Sequence, residues 1–243
     1  MRQTVPRSSR AVEVGFVSEA VDGLGKAPLF AALDAEAAAA LRACMHDVSL
    51  ARGRALFNEG DPGDRLYVVT DGKIKLGRTA ADGRENLLAI LGRGEMFGEL
   101  SLFDPGPRTA TATAVTDATL IGLGHDDLQP WLTGRPEVAG QLLAALAQRL
   151  RRTNEAMADL VFSDVPGRVA KALLDLAKRF GVQSDDGLHV THDLTQEELA
   201  QLVGASRETV NKALADFASR GFLRLEARAV VILDVERLSR RAG

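Results

Sequence analysis

Residues 193–217, DLTQEELAQLVGASRETVNKALADF, leave this chain few folds to choose from. Thr195 with Glu198 three positions on is a capping-box pattern, so a helix starts there. Leu199 and Leu202 give that helix an apolar face. Gly204 supplies a turn, because glycine enters left-handed backbone space without steric cost. Ser206 then caps a second helix, with Val210, Ala213, Leu214 and Phe217 on its buried side at helical spacing. Its open side carries Arg207, Glu208, Asn211, Lys212 and Ala215. Arg and Lys read guanine, Glu reads cytosine and Asn reads adenine in a major groove. A helix-turn-helix presents the start of its second helix to the bases. Taken alone, the same residues also fit an ordinary helical hairpin with a solvated face. The sequence that follows favours DNA binding. Arg220-Gly221 ends the helix, and FLRLEARAVVILD then alternates like a small β-hairpin, which makes a winged helix.

Charge narrows where DNA would sit. The net charge is −3, and from residue 164 onward 12 Lys+Arg balance 12 Asp+Glu. Any DNA-binding charge is therefore local. Over 204–228, Arg207, Lys212, Arg220, Arg224 and Arg228 outnumber Glu208, Asp216 and Glu226.

The 243 residues are 46% hydrophobic and 26% charged, which suits a globular chain of one large domain or two ordinary ones. No apolar run approaches the ~20 residues that span a bilayer. The first twenty residues lack the apolar core of a signal peptide, so a cytoplasmic protein is expected. The single Cys44 excludes an intrachain disulfide and a multi-cysteine metal centre.

Residues 1–26 show no sustained periodicity and read as a partly ordered arm. PLFAALDAEAAAALRACMHDV reads as a helix or helix pair, with Cys44 as a small packing residue. From 48 to 126, short alternating runs (ALF, RLYVVTDG, KIKLGRTA, ENLLAIL, TATATAV, ATLIGLG) are punctuated by glycines. About eight strands in a closed or jelly-roll form are expected.

RGEMFGELSLFDPGPRTATATAV breaks that rhythm. Residues 98–103 read as one helical turn, 104–107 as a loop, and Arg108-Thr109 lead into a strand. Amides at a helix start favour an anion, and an arginine fork suits a phosphate. The Glu99 carboxylate can accept from a ribose hydroxyl. Two readings fit these residues: a nucleotide pocket, or a Glu99–Arg108 salt bridge buried in the barrel.

After a connector, LQPWLTGRPEVA, a long helix is expected from about Glu137 to Phe162. Ala139, Leu143, Leu146, Leu150, Thr153, Met157 and Leu160 repeat every four and three residues, the 3.5-residue seam of a coiled coil. The partner expected is a second copy of the chain. Arg149, Arg151 and Arg152 read as a solvated face. Residues 163–167 break the helix and mark a domain boundary. An amphipathic helix ended by Gly181, a loop with a strand near LHVTH, and a terminal helix in DVERLSRRAG complete the chain. His189 and His192, without a further ligand nearby, read as exposed or structural, so no metal is expected.

With FGELSLFD and PRTATA, RLRRTN, DVPGRVAKALL and LTQEELAQLVGASRETVNKAL in that order, the chain resembles the cyclic AMP receptor protein family of transcription regulators (CRP/FNR), in its cyclic-AMP-binding branch. The resemblance covers nearly everything after the arm. It implies an α+β architecture: a cyclic-nucleotide-binding β-roll (jelly roll) over 27–136, a dimerisation helix over 137–163 and a winged helix-turn-helix over 164–243. It implies cyclic AMP as effector, a homodimer, a palindromic operator, RNA polymerase as partner, and no catalysis. Gly98, Leu100, Ser101, Arg108 and Thr109 match the cyclic-phosphate segment, and Glu99 the ribose contact. Thr153, with Asn154 from the opposite subunit, matches adenine contacts, and Arg149 lies near the pocket. Arg207, Glu208 and Lys212 match base readers, beside Asn211. Thr195, Ser206 and Thr209 match backbone contacts. An alternative keeps the DNA-binding regulator but makes it active without ligand or tuned by another cyclic nucleotide. The chain departs from the family pattern at Lys212, where arginine is usual, at Gln196, where some members are basic, and at Asn154, where some carry serine. The cysteine count excludes the iron–sulfur branch, and no histidine falls near the pocket motif to support a haem branch.

Overall fold

The computed structural model describes residues 27–28, 30–31, 33–104 and 106–243; the expected arm lies outside them. Helix α1 (Ala35–Ala43) is shorter than its run of helix formers. Asp34 caps it by accepting from the Ala37 amide, and the chain ahead of it is turn-like. Cys44 is not a packing residue: it caps the helix C-terminus and is exposed.

Eight strands follow, in two four-stranded antiparallel sheets. The first holds β1 (His46–Leu50), β8 (Ala118–Gly124), β3 (Arg65–Asp71) and β6 (Met96–Phe97), in that order. The second runs β2 (Ala55–Phe57), β7 (Thr111–Ala114), β4 (Ile74–Thr79), β5 (Glu85–Leu91). Alternation puts Ile74, Leu76, Ala112, Ala114 and Leu120 between the sheets, around Tyr67 and Phe97. This is the expected β-roll. One helical turn, α2 (Leu100–Phe103), interrupts it where the rhythm of the sequence breaks.

The connector after β8 is itself a helix, α3 (His125–Gly134). It packs with α1 and the start of the long helix α4 (Pro136–Phe162) through Leu41, Leu128, Val138 and Leu142. Beyond Leu142, one side of α4 stays exposed while Arg149 and Asp159 keep contact with the protomer. Its seam residues Leu143, Leu150, Met157 and Leu160 are 56–66% exposed.

Two residues separate α4 from α5 (Val165–Phe180), which starts on the Asp164 cap with Pro166 in its first turn. The segment expected as a loop with one strand is a hairpin, β9 (Gly181–Ser184) and β10 (Gly187–Thr191). Strand β10 also pairs with β12 (Ala229–Ile232), which pairs with β11 (Leu223–Glu226). Between them lie α6 (Gln196–Val203) and α7 (Arg207–Ser219), and α8 (Val235–Ala242) closes the chain. Val169, Leu173, Leu199, Val210, Leu214, Phe217 and Leu238 form one core, so the winged helix-turn-helix is present as read.

Candidate functional sites

The β-roll site is built around two buried charges that do not pair with each other. Glu99 is 1% exposed and Arg108 4%. The alternative of a Glu99–Arg108 salt bridge is not realised. Arg149, from α4, donates instead to both Glu99 oxygens at 2.9 and 3.2 Å. Arg149 is thus no member of a solvated face.

Arg108 is held from three sides. Its backbone amide donates to the Asp61 carbonyl, and its carbonyl accepts from the Gly60 amide. Its Nη1 donates to the Gly98 carbonyl at 3.0 Å. Its guanidinium lies 4.2 Å from the Phe57 ring centroid, a cation–π distance. Its Nε, though buried, has no hydrogen-bond partner among the described residues. Burial lowers the guanidinium's affinity for its proton, partly opposed by Tyr67, Asp64 and Glu99.

Two glycines leave room around that side chain. Gly98 has φ +79°, and a Cβ there would sit 2.8 Å from Arg108 Nη1. A Cβ on Gly63 would collide with the Ser101 side chain and press on Arg108 Nε at 3.1 Å. Ser101 is buried, whereas Leu100 and Thr109 are exposed. Phe57, Gly63 and Tyr67 belong to this site and were missed by the sequence reading. They lie 31 or more positions from any pocket residue it named, and no local pattern marks them. Thr153 and Asn154 are exposed on α4, and the Thr153 hydroxyl donates to the Arg149 carbonyl at 3.0 Å. The protomer therefore brings Gly98, Glu99, Ser101, Arg108 and Arg149 together. Asn154 does not face this cluster with any hydrogen bond among the described residues.

The second site is the helix-turn-helix. Thr195 Oγ1 accepts from the Glu198 amide at 3.1 Å, and Glu198 Oε2 accepts from the Thr195 amide at 2.8 Å, completing the capping box. Burial pushes the Glu198 carboxyl up, but its bonds to Lys75 and Thr195 outweigh that and hold it below the ordinary value. Gly204 takes φ +68° at the turn. Arg168 of α5 donates to the Val203 and Gly204 carbonyls and to the Ser163 carbonyl, tying the turn to the break after α4. Ser206 Oγ accepts from the Thr209 amide at 3.2 Å and starts α7.

The face of α7 matches the reading with one correction. Arg207, Glu208, Thr209 and Lys212 are exposed. Asn211 is half-buried, and its Oδ1 is buried without a hydrogen-bond partner among the described residues. The local basic excess is also smaller than the sequence implies. Arg220 pairs with Asp216 at 2.9 Å, and Arg224 pairs with Asp186 at 2.6 Å and Glu226 at 3.2 Å. Arg207 and Lys212 have no ion pair among the described residues. Arg228 likewise has none among the described residues, so two of the three unpaired local cations lie on the exposed face of α7.

Comparison with known proteins identifies both domains. Residues 47–133 match the model of the cyclic nucleotide-binding domain, and residues 167–241 match that of the Crp-like helix-turn-helix domain. The chain is 59% identical to the CRP-like cAMP-activated global transcriptional regulator of Mycobacterium tuberculosis over 219 residues, 90% of this chain and 98% of that one. The chain belongs to the CRP family of transcription regulators. It is 40% identical to the cyclic AMP receptor protein of Thermus thermophilus, over 75% of this chain and 84% of that protein. A crystal structure of a CRP-family transcriptional regulator from Thermus thermophilus superposes with a TM-score of 0.69 at 29% identity, covering 81% of this chain and 96% of that one. The protein is therefore a cyclic-nucleotide-responsive, DNA-binding transcription regulator and not an enzyme. Among the described residues no helix is long and apolar enough to cross a membrane, and no cluster of His, Cys, Asp and Glu is suited to a metal.

Proposed function

We propose that this regulator is a homodimer that responds to cyclic AMP and reads a palindromic operator. The observation that carries the ligand is the Arg108 guanidinium, buried with its Nε unpartnered and the Gly98–Ser101 turn around it. A cyclic phosphate supplies the missing acceptor and the missing negative charge. Gly98, Leu100, Ser101 and Thr109 line the phosphate. Glu99, oriented by Arg149, accepts from the ribose hydroxyl. Thr153, and Asn154 from the second subunit, meet the adenine across the pair of α4 helices.

The exposed seam supports the dimer. Each of Leu143, Leu150, Met157 and Leu160 gains roughly 1–2 kcal/mol on leaving water, which is available only if α4 finds a partner. Two copies put two α7 helices on one duplex, with half-sites about 34 Å apart. Arg207, Glu208, Asn211 and Lys212 read bases, while Thr195, Ser206 and Thr209 hold the backbone. RNA polymerase is the partner of the bound complex, and the cytoplasm its compartment.

Calorimetric titration of the purified protein with cyclic AMP tests the ligand. Saturable binding that Arg108→Ala weakens at least tenfold is expected. Absence of binding, or tighter binding of cyclic GMP, removes cyclic AMP from the reading. Sedimentation at micromolar concentration tests the dimer; a monomer overturns it.

A further inference from the structure

The core of the DNA-binding domain does not stop at its own boundary. Leu87, Ile90 and Val115 of the β-roll are buried in the same cluster as α5, α6 and α7. Phe180, at the end of α5, packs against Gly92, where a Cβ would collide with its ring. Around this apolar centre runs a ring of charges from opposite domains. Lys73 pairs with Asp193 and donates to the Thr191 carbonyl at 2.6 Å. Lys75 pairs with Glu198 at 2.6 Å. Arg179 pairs with Glu95. All four side chains of the two lysine pairs are three-quarters or more buried.

The position of these lysines is informative. Lys73 precedes β4 and Lys75 lies within it, two residues apart, so they project to one side of the sheet. Their targets bracket the start of α6: Asp193 lies just before its cap, and Glu198 is the far half of its capping box. Asp193 is held with φ +62°, left-handed for a residue that has a Cβ. On the other side, β4 is bonded along β7, with Lys75 opposite Thr113 and Gly77 opposite Thr111. Val115 donates to the Lys73 carbonyl at 2.8 Å, and the Lys73 amide donates to Thr116 Oγ1 at 3.0 Å. Strand β7 begins three residues after Arg108. One rigid ladder thus joins the anion site to the two lysines, and the lysines to the helix-turn-helix, without passing through α4 or the break after it.

We propose that Lys73 and Lys75 are positioning residues of the DNA-reading domain: they lock α6 to the β-roll within each protomer and carry part of the coupling between nucleotide and operator. They touch neither ligand and act through Asp193 and Glu198. Coupling is reciprocal, so a weaker lock lowers the effect of nucleotide on operator affinity and of operator on nucleotide affinity by the same factor. The inference rests on cyclic AMP being the effector.

The test uses the full-length protein with Lys73→Met, Lys75→Met, both together, and the charge-keeping Lys73→Arg and Lys75→Arg. Operator affinity is measured at fixed salt with and without saturating cyclic AMP, and the ratio is the coupling factor. The double Met variant is expected to lower that factor at least fivefold, with each Arg variant within twofold of wild type. Amide exchange of α6, read without DNA or nucleotide, is expected to quicken at least tenfold in the double Met variant while the β-roll strands keep their protection. An unchanged coupling factor together with unchanged exchange of α6 overturns the lock. If the wild type itself shows no cyclic AMP effect, the choice of effector falls, and the exchange result alone decides the lock: quickened exchange upholds it and unchanged exchange overturns it.

Discussion

Arg149 donates to both oxygens of the buried Glu99 carboxylate, joining the long helix to the turn inside the β-roll. The two partners are unequal: Glu99 is 1% exposed, while the Arg149 side chain keeps 40% of its surface in water. Removing the arginine therefore strands a desolvated carboxylate, whereas removing the carboxylate leaves an arginine that hydrates readily. Arg149→Ala should destabilise the protein by roughly 1–3 kcal/mol. Glu99→Gln in that background should recover most of the loss. A four-member cycle of denaturant melts measures this; equal costs for the two single variants count against the asymmetry.

Arg108 poses the opposite case. Its charge is desolvated, and its Nε has no partner among the described residues. A buried charge that is incompletely satisfied contributes little to stability, and apolar replacements of similar volume are often neutral or stabilising. Arg108→Met is expected to keep or raise the melting temperature while weakening cyclic AMP at least tenfold. Loss of stability and of binding together would mean that Arg108 is structural.

His192 sets a pH dependence. It is 5% exposed, and its Nδ1 accepts from the Leu194 amide, so the ring is neutral with its proton on Nε2. Burial lowers its pKa from the ordinary 6.5 to about 4, partly opposed by Asp193 and Glu198 and reinforced by Lys73. The unfolded chain therefore binds a proton that the folded one refuses between those values. The stability that neutral His192 allows is complete above about pH 6.5 and declines as pH falls toward 4. The loss amounts to at most about 3 kcal/mol. Urea midpoints at pH 7.5 and pH 5 check this, and His192→Phe should flatten the difference.

The helix-turn-helix was legible because its determinants are local. Thr195 and Glu198, Gly204, and Ser206 and Thr209 act within one or two turns of each other, and each takes the conformation its spacing dictates. The helical turn at 98–103 was legible for the same reason. What pairs across the fold was not. Glu99 finds Arg149 fifty residues away, and Asp193 finds Lys73 one hundred and twenty away. No spacing rule encodes either. Strand β6 has two residues and exists because Tyr67 and Val68 pair with it. Segment 125–134, which takes in the first part of the expected connector, is helical because Leu128 fills the core between α1 and α4, which outweighs its internal Pro130. Cys44 was misplaced because composition favours burial, while the helix ends one residue before it.

Arg207 separates reading from folding. It stands at the first position of α7, exposed, with no ion pair among the described residues, and Ser206 caps the helix without its help. Arg207→Ala should therefore shift stability by less than about 0.5 kcal/mol. A base-reading arginine is worth roughly 1–3 kcal/mol of discrimination, so operator affinity should fall about 5- to 150-fold. Binding to unrelated DNA should fall much less, because the backbone contacts proposed for Thr195, Ser206 and Thr209 would remain. Gel-shift titrations at one salt concentration with operator and scrambled duplexes measure both. An equal loss on the two duplexes would make Arg207 a phosphate contact and leave the reading of bases to Glu208 and Lys212.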